Sequence, residues 1–171
     1  RLHPDEPLII EGIHALNPML LNDDIDRDKL FRVYVSALTT LNIDDHNRIH
    51  TTDARLLRRL VRDYETRGAS MEHTLSMWPS VRRGEETWIF PYQENADALF
   101  NTTLVYEVSV LKKYVYPLLQ EVPKESPCYA AARDITKVLN YFLDAEDIED
   151  EIPPTSILRE FIGGCTFYRK D

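Results

Sequence analysis

The pattern of apolar and polar positions changes character several times along the chain. Pro7-Leu8-Ile9-Ile10-Glu11-Gly12 is a short apolar run that stops at an acid and a glycine, as a buried parallel strand does, with the acid at its carboxyl end. After an irregular acidic linker, Phe31-Arg32-Val33-Tyr34-Val35-Ser36-Ala37 alternates and is rich in β-branched and aromatic residues, which predicts a second strand. Asp97-Ala98-Leu99-Phe100-Asn101 predicts a third. Between the second and third, Thr51 or Thr52 is placed to cap a helix running to Arg67, and Gly68 stands where a left-handed residue is wanted. Further helices are predicted from Thr103 to Gln120, stopped by Pro123, and from Tyr129 to Phe142. Strands separated by helices indicate an α/β fold with a parallel sheet flanked by helices. The acidic run from Asp144 to Glu151, followed by Pro153-Pro154, reads as a solvated linker, and Ile157 to Ile162 as a short docked helix.

Projected at about 100° per residue, the helix ending at Arg67 separates into two faces. Leu56, Leu57, Leu60, Val61 and Tyr64 share one side; Arg55, Arg58, Arg59 and Arg62 crowd onto the other. Like charges at i, i+3 and i+4 repel unless anions meet them, and Asp63 and Glu65 relieve only part of this. Because the guanidinium fork matches phosphate oxygens in pairs, the row suits a bound polyphosphate whose charge it neutralises during phosphoryl transfer. The alternative is a solvated basic face with surface ion pairs.

Glu11 ends its predicted strand where open α/β sheets bind ligands and where a carboxylate holds magnesium directly or through water; a turn carboxylate is the alternative. His14 is placed to face the same cleft or to serve as a surface hydrogen-bonding group. Arg82 and Arg83, among Trp78, Trp88, Phe90 and Tyr92, fit a mobile loop that clamps a substrate, although most of the rings suit core packing. His46 and His50 have a metal-ligand spacing, but no glutamate follows the first and the segment is irregular, so a structural role is expected.

Composition narrows the classes. With 171 residues, 43% of them hydrophobic, the chain can build a domain with a real core. A net charge of −9 argues against a dedicated nucleic-acid binder. Cys128 and Cys165 have no ligand spacing and suit a reducing, cytoplasmic setting, and no apolar stretch reaches the roughly 20 residues of a membrane span. Glycine occurs only at positions 12, 68, 84, 163 and 164, and none precedes a lysine, so these residues contain no G-x-x-x-x-G-K-[ST] phosphate loop. A G-x-S-x-G elbow and a paired-cysteine metal motif are absent too.

Glu11-Gly12-Ile13-His14-Ala15-Leu16, followed by Arg55-Leu56-Leu57-Arg58-Arg59-Leu60-Val61-Arg62-Asp63 and Arg67-Gly68, resembles the C-terminal half of uridine kinases, and the likeness extends through Ala96-Asp97. The Glu-Gly-Ile-His run is also similar to phosphoribulokinase. A bacterial group of uridine-kinase-like proteins, often fused to a threonyl-tRNA-synthetase-like N-terminal region, is similar over nearly the whole chain. That likeness includes Leu41 to Arg48, Trp78 to Glu85 and Pro153 to Gly164.

The resemblance implies a partial P-loop kinase fold lacking the Walker A portion. Residues 1–143 would be the C-terminal half of a nucleoside-kinase-like domain, and 144–171 an acidic linker and docking segment. It implies an ATP- and magnesium-dependent phosphotransferase acting on a hydroxyl of a nucleoside, uridine- or cytidine-like, or of a related sugar metabolite. By the same resemblance Glu11 organises magnesium, and Arg55, Arg59 and Arg62 are catalytic residues of a lid helix that closes over the nucleotide phosphates. Arg58 contacts the nucleotide, and His14, Arg67, Arg82 and Arg83 the acceptor. The family's catalytic carboxylate comes from an earlier strand and has no counterpart here. Ala69 and Met77 stand where uridine kinases carry an arginine and a glutamine, which implies another acceptor or another way of holding it.

Absent portions are therefore expected to be N-terminal, the chain alone inactive, and the sheet left with an uncovered side that favours a homo-oligomer or a swapped element. A kinase fold kept as a non-catalytic regulatory or RNA-associated module is the rival reading, and an interaction domain recruiting a partner through its acidic tail is a third.

Overall fold

The computed structural model describes residue 3 and residues 6–21, 25–145 and 148–167. Its chain divides into two compact units, Ser36–Pro79 with Asn101–Asp171, and Arg1–Val35 with Ser80–Phe100.

The first of these is helical. Helix α1, Thr51–Arg67, runs as the apolar spacing predicts, with Leu57 and Leu60 almost wholly removed from water. Its N-cap position is held by His50, not by either threonine, and makes no side-chain cap bond. The cause lies just upstream. An isolated bridge between Asn42 and Arg48, with Ile49 N–H donating to Leu41 O at 2.9 Å, delivers the chain to His50 already extended, so Thr51 is helical from the start. Gly68 has φ 63°, and Ala69 N–H donates back to Asp63 O at 3.0 Å, a left-handed closure that a Cβ would strain. The inward place in the last turn belongs to Asp63, 4% exposed, and Tyr64 stands at the rim with 43% of its surface in water, contrary to the apolar-face expectation.

Helix α2, Met71–Trp88, whose residues from Ser80 onward belong to the other unit, lies where a loop is expected. Ser70 caps the first turn by accepting His73 N–H at 3.1 Å, and Met71 and Leu75 are buried one turn apart, although Pro79 and Gly84 lie within the helix. The proline removes one backbone bond, and the anchored turns before it hold the helix. Helix α3, Glu107–Gln120, begins later than predicted because Asn101 Oδ1 accepts from Leu38 N and Thr103 N, and Glu107 Oε2 from Leu104 N. Side-chain bonds of this kind hold a turn at the expense of helix. Helix α4 spans Tyr129–Leu139, and α5 is the short Arg159–Ile162. α3 packs on α1 and α4, and α5 on α1, around a core that includes Leu111, Val115, Leu139 and Leu158. Each fully buried leucine contributes about 2 kcal/mol.

The strands β1, Val33–Ser36, and β2, Ala98–Asn101, form a two-stranded sheet. Arg32 O accepts from Asp97 and Ala98 N–H, and Ser36 O from Thr102 N–H, so the bonds advance in the same direction on both strands and the pair is parallel. The α/β class expected from the pattern is the one observed. The predicted strand at Pro7–Gly12 does not form: residues 6–11 have no regular structure, and Leu8, Ile9 and Ile10 are 64%, 88% and 65% exposed. A strand needs a neighbour for its backbone groups, and none of the described residues pairs with this run. Among the described residues no helix is long and apolar enough to cross a membrane.

Candidate functional site

Four of the five arginines of α1, Arg55, Arg58, Arg59 and Arg62, are half-buried and each meets a different environment, while Arg67 is exposed. Arg58 is the most enclosed. Its Nε and Nη2 grip both oxygens of Glu107, the latter at 2.6 Å, and Nη2 also reaches Thr102 O at 2.7 Å while Nη1 reaches Thr102 Oγ1 at 3.1 Å. Side-chain exposure is 11% for Arg58 and 1% for Glu107, and the Phe161 ring lies 5.5 Å from the guanidinium carbon. Nearly all of its donors are thus engaged within the protein, and Arg58, expected on the nucleotide, joins α1 to α3.

Asp63 is the second organising carboxylate. It accepts from Arg59 Nε at 3.1 Å, from Arg67 Nη1 at 2.8 Å and from the Thr74 hydroxyl at 3.5 Å. Arg59 is thereby oriented along the helix, and the C-terminal end of α1 is fastened to the first turn of α2. Arg55 Nη1 donates to Ser36 Oγ at 3.5 Å. Arg62 is held least tightly: Asp63 Oδ1 lies 3.9 Å from its Nε and Glu160 Oε1 4.0 Å from its Nη1, and the buried Nε has no hydrogen-bond partner. Chemically the row offers guanidinium groups that are partly desolvated and pre-oriented, the condition under which charge-assisted bonds to an anion gain most.

Glu11 and His14 lie in the other unit, both exposed, just before and within the turn closed by Ala15 N–H to Gly12 O and Asn17 N–H to His14 O. Arg82 sits on α2, not on a loop, donating to Glu85 at 2.9 Å and Glu86 at 2.8 Å with Phe90 5.5 Å away; Arg83 beside it is exposed. His50 is extended and His46 lies in a bend, so the pair shares no helical face, and among the described residues no group of three His, Cys, Asp or Glu side chains is arranged to hold a metal.

Among the described residues two groups are shifted from their ordinary values. The Asn47 amide, with the backbone N–H groups of His46 and Asn47, holds the Asp44 carboxyl below the usual range. Burial, then the hydrogen bond to Glu149, pushes the Tyr114 hydroxyl up. Neither belongs to the arginine row.

Sequence reasoning missed the acids that organise this row. Glu107 and Glu160 are remote in sequence from α1, and nothing local marks them. Asp63 was legible only as partial charge relief, although the arginines four positions to either side, Arg59 and Arg67, are a signal for its role.

Residues 2–109, more than half of the chain, match the Phosphoribulokinase / Uridine kinase family. Uridine kinases of Staphylococcus aureus strains JH9, Newman and Mu50 are each 32% identical over 97 residues, covering 56% of this chain and 39% of the relative. No solved structure matches. The parallel β1–β2 pair with its helices is consistent with part of a P-loop kinase fold, and Glu11, His14 and every arginine of α1 fall within the matched segment. The chain therefore belongs to the phosphoribulokinase/uridine kinase family.

Proposed function

We propose that the protein containing this chain transfers the γ-phosphoryl group of ATP to a hydroxyl of a nucleoside or related sugar metabolite. The observation that carries this reading is the half-buried arginine row of α1 inside a segment that matches the family. Arg55, Arg59 and Arg62 would neutralise the phosphates, with Arg59 aimed by Asp63 and Arg67 completing the helix end. Arg58 would act by holding α1 on α3 so that the row keeps its orientation, with its remaining donor available to the nucleotide.

Magnesium usually keeps several waters and takes one or two carboxylates plus phosphate oxygens, so a single exposed carboxylate such as Glu11 fits it. Glu11 would hold the ion, whose positive charge offsets that of the phosphates. His14, placed beside Glu11, and Arg82 and Arg83, set among aromatic residues, are assigned to the acceptor, and Ala69 and Met77 favour an acceptor held differently from uridine.

The chain spans 39% of the length of the relatives it matches, and its residues include no phosphate loop, so on this reading the chain alone turns nothing over. Residues 1–143 would be the kinase portion and 144–171 a docking segment, with a synthetase-like region further upstream. A cytoplasmic setting, suggested by two free cysteines, and self-association, suggested by the exposed apolar strand residues, belong to the same proposal. The test is phosphoryl transfer from ATP by the full-length protein across a panel of nucleosides and pentoses. Transfer to at least one, reduced about tenfold or more by Arg59→Ala, is expected; failure with every acceptor would overturn the reading.

A further inference from the structure

The family match ends at residue 109, within the first turn of α3, so α4 and α5 lie beyond it. Yet α5 packs directly on α1, and it is firmly anchored. Leu158 is fully buried and Phe161 is 7% exposed. From the same turn, Arg159 Nη2 donates to Glu149 O at 2.6 Å and Ile152 O at 2.7 Å, which fixes the chain entering α5. Such an anchor leaves little freedom to the residue between Arg159 and Phe161, and that residue is Glu160.

Arg62 is the arginine of the row with the poorest internal partners. Its two carboxylates stand at 3.9 and 4.0 Å, beyond hydrogen-bond length, and its buried Nε is unpaired. A guanidinium in that condition gains when an anion with better geometry reaches it. We propose that Glu160, held by α5, is a built-in counter-anion for Arg62: it positions the guanidinium when no ligand is bound and is displaced by the phosphate oxygens of a nucleoside triphosphate. This rests on the phosphate-binding role proposed for the row. Glu160 acts only through Arg62 and is a positioning residue, setting the affinity for the anion and making it depend on the C-terminal segment.

The pair is partly exposed, at 35% and 42% of the two side chains, so its influence is of surface ion-pair size and screened by salt. The experiment measures binding of inorganic tripolyphosphate to the full-length protein by calorimetry at low and high salt. The variants are Glu160→Gln, Arg62→Ala, Arg59→Ala and the double variant Glu160→Gln/Arg62→Ala, with thermal melting to confirm folding. Glu160→Gln is expected to tighten binding about two- to fivefold at low salt, to lose that gain at high salt, and to have no effect when Arg62 is already alanine. The proposal is overturned if Glu160→Gln leaves binding unchanged or weaker while Arg62→Ala weakens it, or if the gain persists without Arg62. If neither Arg62→Ala nor Arg59→Ala alters tripolyphosphate binding, or none binds, the phosphate role of the row itself fails and the proposal falls with it.

Discussion

In the unit formed by Ser36–Pro79 and Asn101–Asp171, Leu60, Val110, Leu111 and Leu139 lose all contact with water, whereas in the other unit Leu8, Ile9, Ile10, Phe31 and Phe100 each keep more than three fifths of their surface in it. Both sets are equally apolar. What separates them is whether the chain supplies something to lie against. The helices present stripes that cover one another, and the enclosed Arg58 of α1 is matched by Glu107 of α3. Parallel strands are ordinarily covered on both faces, and here β1 turns Val33 and Val35 to solvent while Pro7–Gly12 has no strand beside it among the described residues. Amino-acid type states the need for burial; only a partner meets it.

Three substitutions probe that contrast, in descending order of effect. Glu107→Gln in the helical unit leaves Arg58 enclosed without its counter-charge, and a loss of about 3–5 kcal/mol is expected in urea unfolding; a loss below about 1 kcal/mol would mean that Arg58 reaches water after all. Gly68→Ala forces a side chain onto φ 63° where space is open, so the cost is backbone strain alone, about 1 kcal/mol by the same measurement. Ile9→Ser alters a residue that is 88% exposed and should change the stability of this chain by less than about 0.5 kcal/mol. If further sequence covers that run in a longer protein, the same change there is expected to cost about 2 kcal/mol, which turns the contrast into a direct readout of burial.

The α1 helix, its glycine end and the two strands that formed were legible in the sequence because each rests on local periodicity or a single special conformation. Pro7–Gly12 was misread for the complementary reason: an apolar run carries no information about what will pair with it. α2 reads in the sequence as a loop around Arg82 and Arg83; it contains Pro79 and Gly84, which local propensity disfavours in a helix, and burial of Met71 and Leu75 outweighs them. At the candidate site the arginine row was visible as a face, but the distinction between an arginine locked by Glu107 and one loosely met by Glu160 is made by residues from α3 and α5, and no window of sequence contains both partners.

The Arg58–Glu107 pair also bears on the order of events in folding. Its members are 49 positions apart, and both must leave water. Closing a loop of that span carries an entropic cost, and the charges attract strongly only once α1 and α3 have excluded solvent between them. If the contact forms only after the rate-limiting step, removing it is expected to speed unfolding more than it slows folding. On that condition the arginine that holds the row in place would act as a brake on unfolding.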